Sequence, residues 1–277
     1  MKNRSPIGIF DSGIGGLNTL KILKEKLPNE DFLYFADNIN LPYGDKNKEE
    51  IIKFSTNIAK FLVEKNVKVI LIPCNTSSSN SLNAIKEITN STEVFDIISP
   101  IVYDISKNND SKAIAVIATN GTVKSNIYLQ KFQFYNPKIH VIQIPCPELV
   151  SIIESNRINE EQIDKILLQY FDEILKNSEI RILIYGCTHY QHLDTKIRKI
   201  FSEHQKIIEI LNPDDFLCMK VLNFLQENNL LNENESKQKI DFYVSGNKEQ
   251  FFQSANNFFD FVELSQIHEL KNFHEIE

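Results

Sequence analysis

The sequence predicts an α/β fold of two similar lobes, with mostly parallel sheets flanked by helices and an active site in the cleft between the lobes. Short apolar runs alternate with helical patterns along most of the chain, which is typical of parallel β-α-β architecture. The runs are continuously apolar, as expected for strands covered on both faces. Finally, the similar stretches "VKVILIPCNTSSS" and "IRILIYGCTHYQH" each end an apolar run in a cysteine, which suggests two related lobes.

Each strand is predicted from a short run rich in β-branched and aromatic residues, and each helix from apolar residues at helical spacing. The predicted strands are residues 7–10 (IGIF), 32–36 (FLYFA), 67–72, 94–98, 113–118, 140–144, 181–185 and 240–244. The predicted helices are residues 17–27 (LNTLKILKEKL), 48–65, 79–89, 123–134, 160–177, 213–228 and 248–259. Between the last two helices, the polar residues 227–238 predict an exposed connection.

The two similar stretches suggest how the chain is divided into two lobes. We expect residues 1–97 and 211–277 to form the first lobe and residues 98–210 to form the second, with the end of the chain returning to complete the first. Open α/β sheets bind ligands at the carboxyl ends of their strands. Each lobe would present one cysteine there, Cys74 in the first and Cys187 in the second.

Composition limits the classes of function. The formal net charge of −7 argues against a nucleic-acid partner. The apolar runs are too short to span a bilayer and no signal peptide is evident, so we expect a cytoplasmic protein with no membrane partner. The four cysteines are widely spaced without a C-x-x-C pair, which fits neither a metal site nor a disulfide framework.

Two glycine-containing turns are candidate binding elements. In "FDSGIGG", three of the eight glycines of the chain follow a strand and precede a helix, where backbone N–H groups can approach an anion. Asp11 and Ser12 lie in this turn, and either could instead simply cap the helix. In "PYG", Tyr43 and Gly44 offer a hydroxyl and a backbone amide, although on this motif alone an ordinary turn with a surface tyrosine is the preferred interpretation.

The two cysteine motifs carry the most chemical information. Cys74 precedes Asn75 and Thr76 in a polar run that we expect to lie outside the deep core and to begin a helix, whose dipole would lower the pKa of the thiol. In "GCTHY", Cys187, Thr188 and His189 supply a thiol, a hydroxyl and a base directly after a strand. Sequence proximity alone does not establish their contact, so these roles are hypotheses.

Three further residues are weaker candidates for substrate binding. Thr119 and Thr122 follow a strand in "ATNGT", where Thr122 could instead cap the next helix. Glu154 in "LVSIIES" could instead lie on a solvated helix face. Cys146 and Cys218 lack suitable polar neighbours, and we interpret them as packing residues.

Two thiols from two similar lobes suit the inversion of a stereocentre. One thiolate removes a proton from one face of a carbon, and the other thiol donates a proton to the opposite face. In the reverse direction the two sulfur atoms exchange roles. The α-proton of an amino acid is a very weak acid, so without a pyridoxal electron sink the site must stabilise a carbanion by fixed donors. No lysine lies in a sequence context that indicates a pyridoxal phosphate site.

The motifs "FDSGIGGL", "LPYG", "CNT", "CPELVSIIE" and "GCTHY", in this order, resemble those of cofactor-independent glutamate racemases of the aspartate/glutamate racemase superfamily. The resemblance runs from about residue 7 to at least residue 193, and "IDFYVSGNKEQF" is similar to the closing strand and helix of the family. It implies an isomerase that uses no cofactor, takes glutamate as its substrate, forms a homodimer and supplies D-glutamate for peptidoglycan.

The resemblance also implies residue roles. Cys74 and Cys187 would be the acid/base pair on opposite faces of the substrate, and Asp11 and His189 would assist the proton transfers. The implied substrate-binding residues are Asp11, Ser12, Tyr43, Gly44, Asn75, Thr76, Thr188 and His189. Two positions depart from the family pattern, because Gln191 stands where proline is common and Ala118 where glycine is common.

Other functions remain open from the sequence. Aspartate or another amino acid could be the substrate of a racemase of the same superfamily. Alternatively, Cys187 and His189 could form the nucleophile and base of a hydrolase. That function would leave Cys74 unexplained.

Overall fold

The computed structural model describes residues 2–89, 91–108, 112–154, 160–233 and 238–275, which form strands and helices in alternation. The strands are β1 (Ile7–Asp11), β2 (Phe32–Ala36), β3 (Val69–Ile72), β4 (Glu93–Asp96), β5 (Ala113–Ala118), β6 (His140–Pro145), β7 (Ile180–Gly186), β8 (Glu209–Leu211), β9 (Ile240–Val244) and β10 (Ile267–Glu269). The α-helices are α1 (Leu17–Lys26), α2 (Lys48–Glu64), α3 (Asn75–Thr89), α4 (Ile98–Asn108), α5 (Asn120–Ser125), α6 (Ile127–Tyr135), α7 (Glu148–Glu154), α8 (Glu160–Lys176), α9 (Asp194–Glu203), α10 (Pro213–Glu227) and α11 (Lys248–Asn256).

The strands form two sheets. The first has the order β10-β9-β2-β1-β3-β4 and the second the order β6-β5-β7-β8. All pairings described are parallel, which confirms the predicted α/β class with parallel sheets. The strands β9 and β10 come from the end of the chain and extend the first sheet beyond β2. The division of the chain into residues 1–97 with 211–277 and residues 98–210 stays a prediction.

The largest apolar cluster extends across both sheets. It joins Ile9 of β1 and Leu71 of β3 to Val116 of β5, and it includes Ile101 of α4 and Leu217 of α10. These side chains are fully buried. Because apolar burial is the dominant favourable term in folding, this shared core stabilises the relative position of the two sheets.

Several elements differ from the sequence prediction. The helix α3 begins at Asn75, four residues earlier than predicted, and α4, α9, β8 and β10 were not predicted at all. The strands β8 and β10 have only three residues each, too few for a periodic pattern to identify. The helix α4 begins only two residues after the end of β4, so the apolar residues at its start were assigned to the strand predicted at residues 94–98.

The prediction that residues 227–238 form an exposed connection is only partly correct. Asn232 is buried, and its backbone N–H donates to Glu30 Oε1 at 2.8 Å. Leu230 and Leu231 pack against the largest apolar cluster. A side-chain partner far away in the sequence explains this burial, and residues 234–237 of the segment lie outside the described residues.

No helix among the described residues combines the length and apolar character needed to cross a bilayer.

A buried polar network ties the turn after β7 to α1 and α10. Asp214 of α10 is fully buried and accepts hydrogen bonds from the Thr19 hydroxyl and, at 2.9 Å, from Gln191 Nε2. The same amide nitrogen donates to the Thr188 backbone oxygen at 3.1 Å, and Gln191 Oε1 accepts from Asn212 Nδ2 at 2.8 Å. Gln191, which stands where proline is common in the family that the sequence resembles, thus uses its amide to link these elements.

The buried carboxyl group of Asp214 should make the stability of the fold depend on pH. Burial raises the pKa of its carboxyl from 3.8 to about 7, although the hydrogen bonds from Thr19 and Gln191 oppose this shift. Between these two values the folded state retains a proton that the unfolded chain releases. The free energy of unfolding therefore decreases as pH rises across this range, by at most about 1.4 kcal/mol per pH unit from this group.

The substitution Asp214→Asn removes this titration while keeping the side-chain shape. We expect the stability of the variant relative to the unsubstituted protein to increase as pH rises from about 5 to about 8. Urea unfolding at both pH values measures this difference, and Asp215→Asn in the same helical turn is the control. A difference that stays constant or decreases with pH would contradict the assignment.

Candidate active site

Adjacent strands of the first sheet bring Asp11, Ser12 and Cys74 to one edge. The strands β1 and β3 are paired in parallel, with Ile9 opposite Leu71, so their carboxyl ends lie side by side. Asp11 is the last residue of β1, and Cys74 follows β3 by two residues. Both side chains are buried, with Asp11 fully inaccessible and Cys74 5% exposed.

The second sheet repeats this arrangement. The strands β5 and β7 are paired, and Ala118 lies opposite Gly186 at their carboxyl ends. Thr119 and Cys187 follow these two residues directly, so they are neighbours at the edge of the sheet. Cys187 is 6% exposed.

The two edges face one narrow cavity, and both cysteines line it. The predicted site residues that line it are Ser12, Tyr43, Gly44, Cys74, Asn75, Thr76, Thr119, Cys187, Thr188 and His189. Asp11, Thr122 and Glu154 do not line the cavity, but each contacts a residue that does. Thus the structure brings together residues separated by more than 170 positions in the sequence.

The environment of Cys74 corrects one prediction. We expected the amino terminus of α3 to lower the pKa of this thiol. Instead, burial and, as the second cause, the charge of Asp11 together raise the pKa to about 12. The Ser77 backbone N–H lies 3.5 Å from the sulfur and lowers the pKa, but it does not compensate for desolvation.

The polar run after Cys74 is also more buried than expected. Asn75, Thr76, Ser77 and Ser78 are all buried where α3 packs between β3 and α2. Their burial is possible because hydrogen bonds satisfy several of these groups. For example, the Ser78 hydroxyl donates to the Ile72 backbone oxygen at 2.9 Å, and Tyr128 donates to Asn75 Oδ1 at 2.8 Å.

Cys187, His189 and Glu154 form a chain of contacts. His189 Nδ1 lies 3.9 Å from Cys187 Sγ, and His189 Nε2 lies 2.7 Å from Glu154 Oε1. Burial lowers the pKa of His189, but its interactions with Cys187 and Glu154 outweigh this effect and raise the pKa well above 6.5. For Glu154, burial raises the pKa, and the histidine contact reverses the shift so that the net pKa is lowered. Glu154 is therefore the ionic partner of the histidine rather than a solvated residue.

The glycine-rich turn positions Asp11 against the opposite edge. Asp11 Oδ1 accepts the Gly13 backbone N–H at 2.8 Å, and Asp11 Oδ2 accepts the Thr188 hydroxyl at 3.3 Å. Burial raises the pKa of Asp11, and the nearby His189 lowers it only in part. A Cβ atom at Gly15 would overlap the Thr188 hydroxyl, so this close approach requires glycine. Neither Asp11 nor Ser12 caps α1.

Three threonine hydroxyls form a cluster beside the cavity. Thr76 Oγ1 lies 2.9 Å from Thr119 Oγ1 and 3.4 Å from Thr122 Oγ1. The cap of α5 is Thr119, whose hydroxyl accepts the Thr122 backbone N–H at 3.3 Å, and not Thr122 itself. Because these hydroxyls bond to one another, they can reorient as donors towards an anionic ligand.

Sequence reasoning missed several residues around the cavity. Leu41, Pro42 and Val150 contribute apolar lining, although each lies inside or beside a motif already identified. Asp37 accepts the Tyr43 hydroxyl and also lies 2.8 Å from His274 Nε2. No local pattern indicated that contact, because it joins a loop to a segment 237 positions away.

The arrangement offers two thiols, hydroxyl donors and one imidazole–carboxylate pair. Among the described residues, no cluster of three histidine, cysteine, aspartate or glutamate side chains has the arrangement of a metal site. The groups present are those needed to move protons and to bind a carboxylate.

Known proteins are similar to this chain in sequence and in fold, although no protein-family model matches the chain. Glutamate racemase 2 of Caldanaerobacter subterraneus subsp. tengcongensis is 38% identical over 250 residues, which cover 90% of this chain and 91% of the relative. The glutamate racemase of Picosynechococcus sp. is 36% identical and covers 98% of this chain and 94% of the relative.

Solved structures extend this comparison. The glutamate racemase from Francisella tularensis in complex with D-glutamate matches with a TM-score of 0.89 and 34% identity, covering 97% of this chain and 98% of that one. The aspartate racemase of Picrophilus torridus, at 15% identity and a TM-score of 0.58, is similar in fold alone. On the strength of these relatives, the chain belongs to the glutamate racemase family.

Proposed function

We propose that the protein interconverts L-glutamate and D-glutamate by proton transfer between two thiols, without a cofactor. One observation carries this proposal: Cys74 and Cys187 reach the same cavity from the edges of two different sheets. Family membership supports glutamate as the substrate, since the relatives are glutamate racemases and one was solved with D-glutamate.

The reaction needs opposite protonation of the two sulfur atoms. The raised pKa of Cys74 keeps this residue a neutral thiol at neutral pH, ready to donate a proton. On the other side, a protonated His189 stabilises negative charge on the Cys187 sulfur, 3.9 Å away. The Cys187 thiolate takes the α-proton of one enantiomer, and Cys74 donates its proton to the opposite face. In the reverse direction Cys74 acts as the base and Cys187 as the acid.

The carbanion needs stabilisation at the α-carboxylate of the substrate. The hydroxyls of Ser12, Thr76, Thr119 and Thr188 and the amide of Asn75 line the cavity and can donate to carboxylate oxygens. In a water-poor cavity such donors stabilise developing charge more strongly than in solution. Asp11, Thr122 and Glu154 act one contact further away, as positioning residues.

We also propose a biological setting for this activity. The D-glutamate would supply peptidoglycan synthesis in a bacterial cytoplasm, and the protein would work as a homodimer. Aspartate is the alternative substrate, and a cysteine hydrolase using Cys187 and His189 is the alternative reaction. The second thiol of the cavity favours the racemase over the hydrolase, because hydrolysis requires only one.

The two-thiol mechanism predicts the behaviour of cysteine variants. Incubated with L-glutamate in deuterium oxide without added cofactor, the protein should form D-glutamate carrying deuterium at the α-carbon. The substitutions Cys74→Ser and Cys187→Ser should each reduce turnover by about 100-fold or more, because each removes one acid/base group. Polarimetry and proton NMR measure both quantities.

The other buried cysteines provide matched controls. Cys146 and Cys218 are also buried but lie outside the cavity, so Cys146→Ala and Cys218→Ala should retain most of the turnover. Near-normal racemisation by either serine variant would refute the two-thiol mechanism. Conversion of aspartate in preference to glutamate would identify aspartate as the substrate. A trapped acyl-enzyme would indicate that the protein is a hydrolase.

Removing the charge of Glu154 should shift the pH profile of kcat. Its contact with His189 raises the pKa of the imidazole, so Glu154→Gln should lower that pKa. The protonated imidazole would then be lost at lower pH, and the alkaline limb of the kcat profile should move to lower pH. We expect kcat at pH 8 to fall about tenfold.

The control for this prediction lies on the same helix. Glu148 of α7 is exposed and contacts Tyr170 instead of the cavity, so Glu148→Gln should leave the profile unchanged. The conservative variant Glu154→Asp should restore part of the activity. An unchanged alkaline limb in Glu154→Gln would show that this carboxylate does not act through His189.

A further inference from the structure

A second concave site lies outside the cavity that holds the cysteines. It is a groove of about 590 Å³ between the start of α2, the first half of α3 and the helices α5 and α6. Four lysines line it, Lys46, Lys48, Lys124 and Lys131, and no aspartate or glutamate does. The whole chain has 37 acidic and 30 basic residues, so the groove has the opposite charge to the protein as a whole.

Three of these four lysines, Lys46, Lys48 and Lys124, have no ion-pair partner within the part of the chain that the structure describes. By contrast, Lys131 Nζ donates to Ser99 Oγ at 2.9 Å, and that hydroxyl donates to Asp96. The three remaining ammonium groups are available to an anion from solution.

The groove and the catalytic cavity share a wall. Gly121 lines the groove, while Gly44 and Thr76 line the cavity. A Cβ atom placed on Gly121 would lie 3.0 Å from Thr76 Cγ2 and 3.4 Å from the Gly44 oxygen, so these residues are in contact. Asn80, which also lines the groove, donates to the Thr76 backbone oxygen at 2.9 Å. The partition is therefore a single layer of residues.

This wall is a seam between separate segments. Gly44 belongs to the loop between β2 and α2, and Gly121 belongs to α5, which follows the second sheet's β5. The seam is closed, since Gly121 lies against Gly44 and Thr76. The cavity behind it is enclosed, because Cys74 and Cys187 are only 5% and 6% exposed. A ligand the size of glutamate would reach the thiols only if part of the enclosure opened, and a separation of Gly44 from Gly121 would connect the cavity to the groove.

We propose that the groove is an entry chamber for glutamate, in which Lys46, Lys48 and Lys124 attract its carboxylates before it passes the seam. The inference rests on the proposed function. Glutamate is an anion and the protein carries a formal charge of −7, so the overall field opposes the approach of the substrate. A concave site of the opposite sign raises the local concentration of the ligand and its association rate.

The triple variant Lys46→Gln/Lys48→Gln/Lys124→Gln tests this role. At an ionic strength of about 10 mM its kcat/KM for L-glutamate should fall about three- to tenfold, because three charges are lost near the entry path. Its kcat should not change, since none of these lysines lines the cavity. In the unsubstituted protein kcat/KM should decrease as salt is raised to about 200 mM, and the triple variant should lose most of this dependence.

The control carries the same change in net charge elsewhere. In Lys112→Gln/Lys138→Gln/Lys165→Gln, the first two positions precede β5 and β6 at the amino ends of the second sheet, opposite the catalytic edge. The third lies exposed on α8. This control should retain the kcat/KM and the salt dependence of the unsubstituted protein.

The outcomes separate the inference from the function on which it rests. If the unsubstituted protein does not racemise glutamate, the proposed function fails and the inference fails with it. If the protein is active but the groove variant keeps its kcat/KM and salt dependence, the entry chamber alone is refuted. An equal loss in the control variant refutes it too, because net charge then explains the effect.

Discussion

The proposed racemisation depends on one structural constraint, which is that two buried thiols face a single cavity from two separate sheets. Parallel strands place the residues that follow them at a common edge, and two such edges meet here. Cys74 and Cys187 each follow an interior strand of their sheet, so their positions are fixed by the cores beneath them. A substrate carbon held between these edges is accessible to one thiol on each side.

The two edges are similar in geometry but differ in electrostatics. On the first edge, burial and Asp11 favour the protonated form of Cys74. On the second edge, the pair formed by His189 and Glu154 places an imidazole with a raised pKa beside Cys187. This asymmetry matches the requirement that one thiol be protonated while the other is not. Burial, which makes ionisation costly, also excludes the water that would weaken the donors around the substrate.

The sequence allowed prediction of the sheets and of the residues at their carboxyl ends. Those features depend on local patterns, such as the apolar run that leads into Cys74 or Cys187. The pKa of Cys74 was predicted in the wrong direction, because the helix dipole is a local feature whereas desolvation depends on the whole fold. Likewise, the contacts of Glu154 with His189 and of Gln191 with Asp214 join distant segments, so no local pattern could indicate them.

The two-thiol mechanism requires one sulfur atom on each face of the substrate carbon, and a crystal structure of the protein with bound D-glutamate would show whether this is so. We expect the α-carbon to lie between Cys74 Sγ and Cys187 Sγ, with the sulfur atoms on opposite faces and each within about 4 Å. The carboxylate should contact the hydroxyls that line the cavity. Glutamate bound with both thiols on one face, or outside this cavity, would contradict the two-thiol mechanism.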